Sequence, residues 1–416
     1  MDEIDELQLK NRVITPATQA LSKEKIEQSY SRIIDVLKYY TDTTEDNYKL
    51  IAMWIIGTYF HEDFNTFPYL FFNAMRGSGK TRMLKLISCL GAKGDGCVQN
   101  NLTEAVLFRI PRGTTTCIDE VEQIGSKEKQ TLRELLNSAY KKGMKVKRMR
   151  KSNTKEGEMQ VTDTFEPYYP IAMANINGVE EVLGDRSIVL ILEKSDRPEV
   201  VMKVEDFDIN PEIADIKRTL SEASVVSAVK CIRKNIYQEW NNYIYTKYTT
   251  THTTYTTHTT LTTLNLETES FFNKIHDLGI TGRNFELLFP LLLIAKDLSD
   301  EIFEDFALIA SRTVEKKKDD EYSDSKDVSL FDFVLSLESF GKDYVPIKEV
   351  TQRFRQYIGD SDEDDRWLND RWVGKALKRL NLIIDKRRLS NGIQVTFNFV
   401  KAREKMKLFR RDNVTP

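Results

Sequence analysis

Residues 68–81 read Pro-Tyr-Leu-Phe-Phe-Asn-Ala-Met-Arg-Gly-Ser-Gly-Lys-Thr, and residues 82–87 continue Arg-Met-Leu-Lys-Leu-Ile. A short apolar strand runs into a glycine-bearing loop, and Gly-Lys-Thr opens a helix. That order of elements is what a phosphate-binding loop requires. Small residues among Arg76, Gly77, Ser78 and Gly79 let backbone N–H groups face a polyphosphate, and the helix N-terminus adds partial positive charge. Lys80 is placed to reach the β- and γ-phosphates, and the Thr81 hydroxyl to hold Mg²⁺. The leading position of the loop, often glycine, is Ala74. Alanine costs little there if φ stays negative.

A second β-prone run, Gly-Thr-Thr-Thr-Cys-Ile-Asp-Glu at 113–120, ends in Asp119 and Glu120. Two adjacent carboxylates at a strand end suit metal-dependent hydrolysis. Asp119 is assigned to the metal and Glu120 to orienting and polarising the attacking water. Asn175 follows a further apolar strand at 170–174 and is expected between those carboxylates and the terminal phosphate. Asn177 competes for that role.

The net charge of −3 is unevenly distributed over the 416 residues. Eight basic residues and no acidic ones lie between Lys141 and Lys155. Thirteen basic and two acidic residues lie between Arg371 and Arg411, whereas 360–365 holds five carboxylates. Such asymmetry points to polyanion contact at selected faces. In the first cluster Lys145, Lys147, Arg148 and Arg150 read as one arm of a basic β-hairpin, with a turn at 152–157 and a return arm at 159–165. Phosphate contacts there imply salt-dependent, sequence-insensitive binding to a nucleic-acid backbone. The alternative is a solvated charged hairpin.

Cys89, Cys97, Cys117 and Cys231 have no paired spacing. They read as buried reduced thiols, which favours a cytoplasmic chain. The acidic start, Met-Asp-Glu-Ile-Asp-Glu, does not suit a signal peptide. The longest apolar stretch, 50–60, is too short to span a bilayer and reads as a core helix. No membrane partner is expected.

The pattern implies an α/β fold in four parts: a helical segment at 1–44, a nucleotide-binding core at 45–200, a helical lid at 201–326 and a small α+β domain at 327–416. Within the core, strands are expected at 69–72, 96–99, 115–118, 170–174 and 187–192 with helices between them, the rhythm of a parallel three-layer sheet. Twelve of 18 residues at 246–263 are Thr, which reads as a tolerated surface insertion. A charged linker is expected at 315–327. Three helices at 329–339, 347–358 and 369–380, then a hairpin at 382–399 turning at Ser-Asn-Gly, form a winged-helix pattern. Lys375, Lys378 and Arg379 on its third helix and Arg387 and Arg388 on its wing are candidate duplex contacts. Protein docking is the alternative use of such a domain.

Taken together, 77–81, Leu-Thr-Glu-Ala at 102–105, Ile-Asp-Glu at 118–120, Ala-Met-Ala-Asn at 172–175, Asp-Arg-Ser-Ile-Val at 185–189 and Phe-Pro-Leu-Leu-Leu-Ile-Ala at 289–295 resemble the AAA+ ATPases of replicative-helicase-like proteins of plasmids, phages and other mobile elements. The resemblance spans about 45–310 and, more weakly, the C-terminal domain. It implies ATP and Mg²⁺ as ligands and a homo-oligomer, a hexameric ring with sites between subunits. It assigns Arg186 as an arginine finger acting in trans, the alternative being a structural ion pair with Asp185, and Arg283 as a second sensor of the terminal phosphate, the alternative being a solvated arginine at a helix start. It places the basic hairpin in a central pore, gripping single-stranded DNA. Relatives often carry a primase region upstream, and 44 residues leave no room for one, so priming is expected from a separate protein. An initiator or helicase loader that uses ATP as an assembly switch shares every nucleotide motif. So does a signalling or defence ATPase.

Overall fold

The computed structural model describes residues 16–100, 102–120, 130–154, 157–176, 179–226, 229–249, 266–324, 326–340, 344–359, 368–389 and 392–407. Contacts divide the chain into two compact units, Met1–Thr313 and Val314–Pro416.

The first unit begins with α1 (Pro16–Tyr40) and α2 (Glu45–Thr58). Thr44 caps α2, its hydroxyl accepting from the Asn47 N–H. Every residue of α2 from Leu50 to Thr58 is buried. A helix apolar on all sides belongs in an interior. Trp54 is fully buried, and its indole N–H donates to the Pro68 carbonyl at 2.8 Å, fixing α2 to the entry of the first strand.

The central sheet has four parallel strands in the order β2-β5-β1-β6. They are β1 (Tyr69–Ala74), β2 (Thr116–Ile118), β5 (Ile171–Asn175) and β6 (Ser187–Leu192). β1, β2 and β5 are apolar and almost wholly buried, as strands covered on both faces must be. The expected strand at 96–99 is instead a single parallel bridge, Gln99 to Ile118. Gly96, at φ +76°, breaks the extended run.

α3 (Lys80–Leu90) follows the loop and packs through Met83, Leu84, Leu86 and Ile87. Thr103 caps a single helical turn, α4 (Glu104–Leu107), its hydroxyl accepting from the Val106 N–H. α5 (Gln130–Ser138) precedes a separate two-stranded sheet, β3 (Val146–Thr154) and β4 (Gly157–Phe165). The pairing runs from Val146 with Phe165 to Thr154 with Gly157, so the strands extend through the expected turn, leaving only 155–156 to connect them. Nine residues per strand make a hairpin about 26 Å long.

Helices α6 (Glu181–Gly184), α7 (Pro198–Val201), α8 (Pro211–Val226), α9 (Val229–Thr249), α10 (Leu266–Asp277) and α11 (Gly282–Leu298) follow. Residues 250–265, most of the threonine tract, lie outside the described residues. α8 lies on α1, tied by Arg32 to Glu212 at 2.7 Å and Asp215 at 2.9 Å.

The expected linker at 315–327 is helical. α12 (Asp300–Asp324) runs through the division between units, and α13 (Lys326–Ser336) follows. Lys and Glu are good helix formers, and the segment contains neither Gly nor Pro. In the second unit α13, α14 (Ile347–Tyr357) and α15 (Asp370–Arg379) precede β8 (Ile383–Leu389) and β9 (Gly392–Phe397). A short β7 (Val345–Pro346) pairs with β9, giving the antiparallel order β7-β9-β8. α16 (Phe399–Met406), not foreseen from the sequence, packs on α13. The core of this unit is built by Val350, Phe354, Val373, Leu377, Val395 and Phe397, with Leu330 and Val334 of α13.

Among the described residues, no helix is long and apolar enough to cross a membrane, and no cluster of three or more His, Cys, Asp or Glu side chains forms a metal site. Cys89 and Cys117 are buried. Cys97 is exposed, which corrects the expectation of buried thiols throughout: it sits in the turn after Gly96, where its N–H donates to Asp95.

Candidate functional site

The phosphate loop leaves the C-terminal end of β1. Gly77 and Gly79 have φ of +76° and +81°, conformations that L side chains rarely adopt. Gly79 is the N-cap of α3, its carbonyl accepting from the Met83 N–H at 2.9 Å. Lys80 is thereby the first helical residue. Arg76 is exposed on the loop, and Ser78 Oγ is buried with no hydrogen-bond partner.

Asp119 lies just beyond β2, two strands from β1. Lys80 Nζ meets Asp119 Oδ1 at 2.7 Å, and the Thr81 hydroxyl donates to Oδ2 at 2.6 Å. The ion pair is well shielded, with the two side chains 13% and 6% exposed. The sheet explains the meeting. Ile118 is level with Met173, and Asn73 with Asn175, so the ends of β2, β5 and β1 lie along one edge. Asn175 is buried at that edge between the loop strand and Asp119. Asn177 lies outside the described residues. Glu120 is exposed with φ +58°, a strained value for a non-glycine residue, and its N–H donates to Asp119 Oδ1 at 2.9 Å.

These residues fit MgATP. An octahedral Mg²⁺ with ligands about 2.1 Å away has adjacent oxygens about 3 Å apart. Thr81 Oγ1 and Asp119 Oδ2 already approach that spacing. The partnerless Ser78 hydroxyl and the left-handed glycines suit a loop that offers donors to phosphate oxygens.

Arg186 and Arg283 lie elsewhere. Ser187 pairs with Tyr69 and Leu192 with Ala74, so Arg186 sits at the N-terminal edge of the sheet. Five strand steps, about 16 Å, separate that edge from the loop. Arg186 is 18% exposed, donates to the carbonyls of Asn137 at 2.8 Å and Val182, and lies over the Tyr140 ring. Its guanidinium is engaged by partners in the same chain. Arg283 joins the same cluster. It bonds Asp185 at 3.4 Å, Glu286 at 2.6 Å and the Tyr140 hydroxyl. These bonds brace α11 against the distal sheet edge, away from Lys80 and Thr81, and the structure does not bring Arg283 together with them.

On the hairpin, Lys145 and Lys147 are exposed. Arg148 and Arg150 lie on β3 opposite Asp163 and Val161, their side chains outside the described residues. Phe165 at the hairpin root packs on Phe108, with ring centres 4.7 Å apart. In the second unit Lys375, Lys378 and Arg379 are exposed on α15, opposite its buried Val373, Ala376 and Leu377. Arg387 and Arg388 are exposed on β8. Arg387 donates to Gln394 at 2.8 Å and lies 3.9 Å over the Tyr344 ring.

Two neighbours of the loop were not legible in the sequence. Arg82, in the first turn of α3, donates to the carbonyls of Val200 at 2.9 Å and Lys203 at 2.8 Å. Lys194, two residues past β6, lies against Gly77. Neither belongs to a motif, and both contacts are tertiary.

No protein-family model and no curated protein matches the sequence. Among solved structures, the C-terminal region of NrS-1, in an apo A-form structure, is similar at a TM-score of 0.32 and 11% identity, over 90% of this chain and 75% of that one.

Proposed function

We propose that this chain is an ATP-hydrolysing AAA+ motor that moves on DNA, a replicative helicase of a mobile genetic element. The observation that carries the reading is the convergence of Lys80 and Thr81 on one carboxylate, Asp119, with Glu120 next to it. Lys80 binds the β- and γ-phosphates. Thr81 and Asp119 hold Mg²⁺, which when bound offsets charge on the phosphate oxygens. Glu120 accepts a proton from the attacking water, and Asn175 orients that water.

The β3–β4 hairpin supplies the DNA contact. It carries Lys145, Lys147, Arg148 and Arg150 and stands apart from the main sheet, as a pore element of a hexameric ring must. The second unit, read as a winged helix, offers α15 and the β8–β9 wing to duplex DNA. Arg186 lies at the sheet edge away from the phosphate loop, the edge a head-to-tail neighbour can receive. A trans role for it requires exchange of its bonds to Asn137 and Val182 on assembly.

The test is a double substitution, Lys147→Ala with Arg148→Ala, assayed for ATP hydrolysis with and without single-stranded DNA. The motor reading predicts stimulation in the wild type and its loss in the variant, with basal hydrolysis retained. Stimulation that persists in the variant removes the pore role. Wild-type hydrolysis indifferent to DNA favours the loader or signalling ATPase.

A further inference from the structure

The nucleotide site has two flanks. Asp119 and Asn175 lie on the β5–β2 side of the loop strand, and β6 lies on the other side. Leu192, the last residue of β6, is level with Ala74. Two residues farther on, the Lys194 side chain lies against the phosphate loop. The position a Cβ would take on Gly77 is 3.3 Å from Lys194 Cε and 3.9 Å from its Nζ. No hydrogen bond or ion pair engages the Lys194 ammonium among the described residues.

The segment that carries Lys194 is held at both ends. Ser195 Oγ donates to Asp42 Oδ2 at 2.6 Å, in the turn between α1 and α2. Farther along, the guanidinium of Arg82 binds the carbonyls of Val200 and Lys203 and approaches Glu205 at 3.5 Å. Arg82 belongs to the helix that the phosphate loop opens. The loop and the segment beside it therefore share an anchor, and Lys194 has a fixed backbone next to Gly77.

We infer that Lys194 is a second phosphate-binding cation of this site, serving the phosphates nearest the nucleoside. The inference rests on the nucleotide reading above and extends it. Lys80, Thr81 and Asp119 take the terminal phosphate and the metal on one flank. A polyphosphate laid across the loop from that end runs toward β6, where Lys194 lies. Its partners are the α- and β-phosphates, which ADP and ATP share. Arg82 is a positioning residue for this contact, because it ties the Lys194-bearing segment to α3.

The experiment is an equilibrium titration of the full chain with fluorescent ADP and ATP analogues in Mg²⁺, for the wild type, Lys194→Ala, Lys194→Arg and Lys80→Ala. The Lys194 side chain is exposed, and thermal melts check that each variant folds. We expect Lys194→Ala to weaken both nucleotides by the same factor, about tenfold, with Lys194→Arg restoring most of it. Unchanged affinity in Lys194→Ala, beside a wild type that binds and a Lys80→Ala that does not, overturns the inference alone. Loss confined to ATP overturns the assignment to the nucleoside-proximal phosphates. A wild type that binds neither nucleotide overturns the nucleotide reading and the inference with it.

Discussion

The hydroxyl of Thr81 donates to the carboxylate of Asp119 across 2.6 Å, although 38 residues separate them. Parallel pairing of β1, β5 and β2 brings the ends of the strands that precede the two residues to one edge. Thr81 stands in the first turn of α3 and Asp119 just past β2, and under the proposed function the two hold Mg²⁺. Thr81→Ala and Asp119→Asn should each lower Mg²⁺-dependent ATP hydrolysis by about a hundredfold or more. A chelator should abolish the remaining activity of the wild type. Hydrolysis that survives chelation at the wild-type rate contradicts this assignment.

Glu120 occupies left-handed backbone space, which costs an L residue about 1–2 kcal/mol. Alanine at this position keeps that strain and glycine relieves it. Glu120→Gly should therefore melt above Glu120→Ala, by about 0.5–1 kcal/mol after glycine's own entropy is counted. Both variants should lack hydrolysis. Equal melting temperatures for the two would show that the strain is not stored here.

Arg283 tests the geometry of the distal edge. Because it binds Asp185, Glu286 and Tyr140 rather than the loop, Arg283→Ala should leave nucleotide affinity within about twofold. Stability should fall by about 1–2 kcal/mol, since partly exposed acidic partners lose their cation. Denaturant melts and nucleotide titration of one preparation separate the two effects. A large loss of ATP affinity at unchanged stability would restore the sensor role.

Much of this was readable because it is local. The apolar run before Gly-Lys-Thr forms β1, and Thr44 and Thr103 cap helices as their hydroxyls allow. Charge did mislead at 315–327, where Lys and Glu read as a linker but also favour helix. Six expected turn residues at 152–157 proved to be mostly strand, because cross-strand pairing overrides the turn preference of Ser, Asn and Gly. The placement of Arg283 could not be read at all: a helix N-terminus in sequence says nothing about which end of a sheet it meets. Lys194 was hidden for the same reason.

Burial sets a pH limit on the first unit. His61 packs between Phe67 and Tyr168. Its Nδ1 donates to the Thr58 carbonyl at 3.1 Å, and its Nε2 is buried without a partner. Desolvation, the largest cause, pushes its pKa from 6.5 down to about 4. Between those values the unfolded chain binds a proton that the folded chain refuses, so stability is complete above about pH 6.5 and falls as pH drops toward 4. The full loss is about 3 kcal/mol. His61→Leu should flatten the dependence of melting temperature on pH in that window. An unchanged slope in the variant would assign the acid sensitivity to other groups.

Under the proposed function the convergent Lys80, Thr81, Asp119 and Glu120 form an ATPase coupled to DNA. Steady-state ATP hydrolysis by the wild type, with and without single-stranded DNA and beside Glu120→Gln, tests it most directly. Strong stimulation by DNA is expected in the wild type, and for Glu120→Gln nucleotide binding without turnover under either condition. A wild type that hydrolyses no ATP, or a Glu120→Gln variant as active as the wild type, would contradict it.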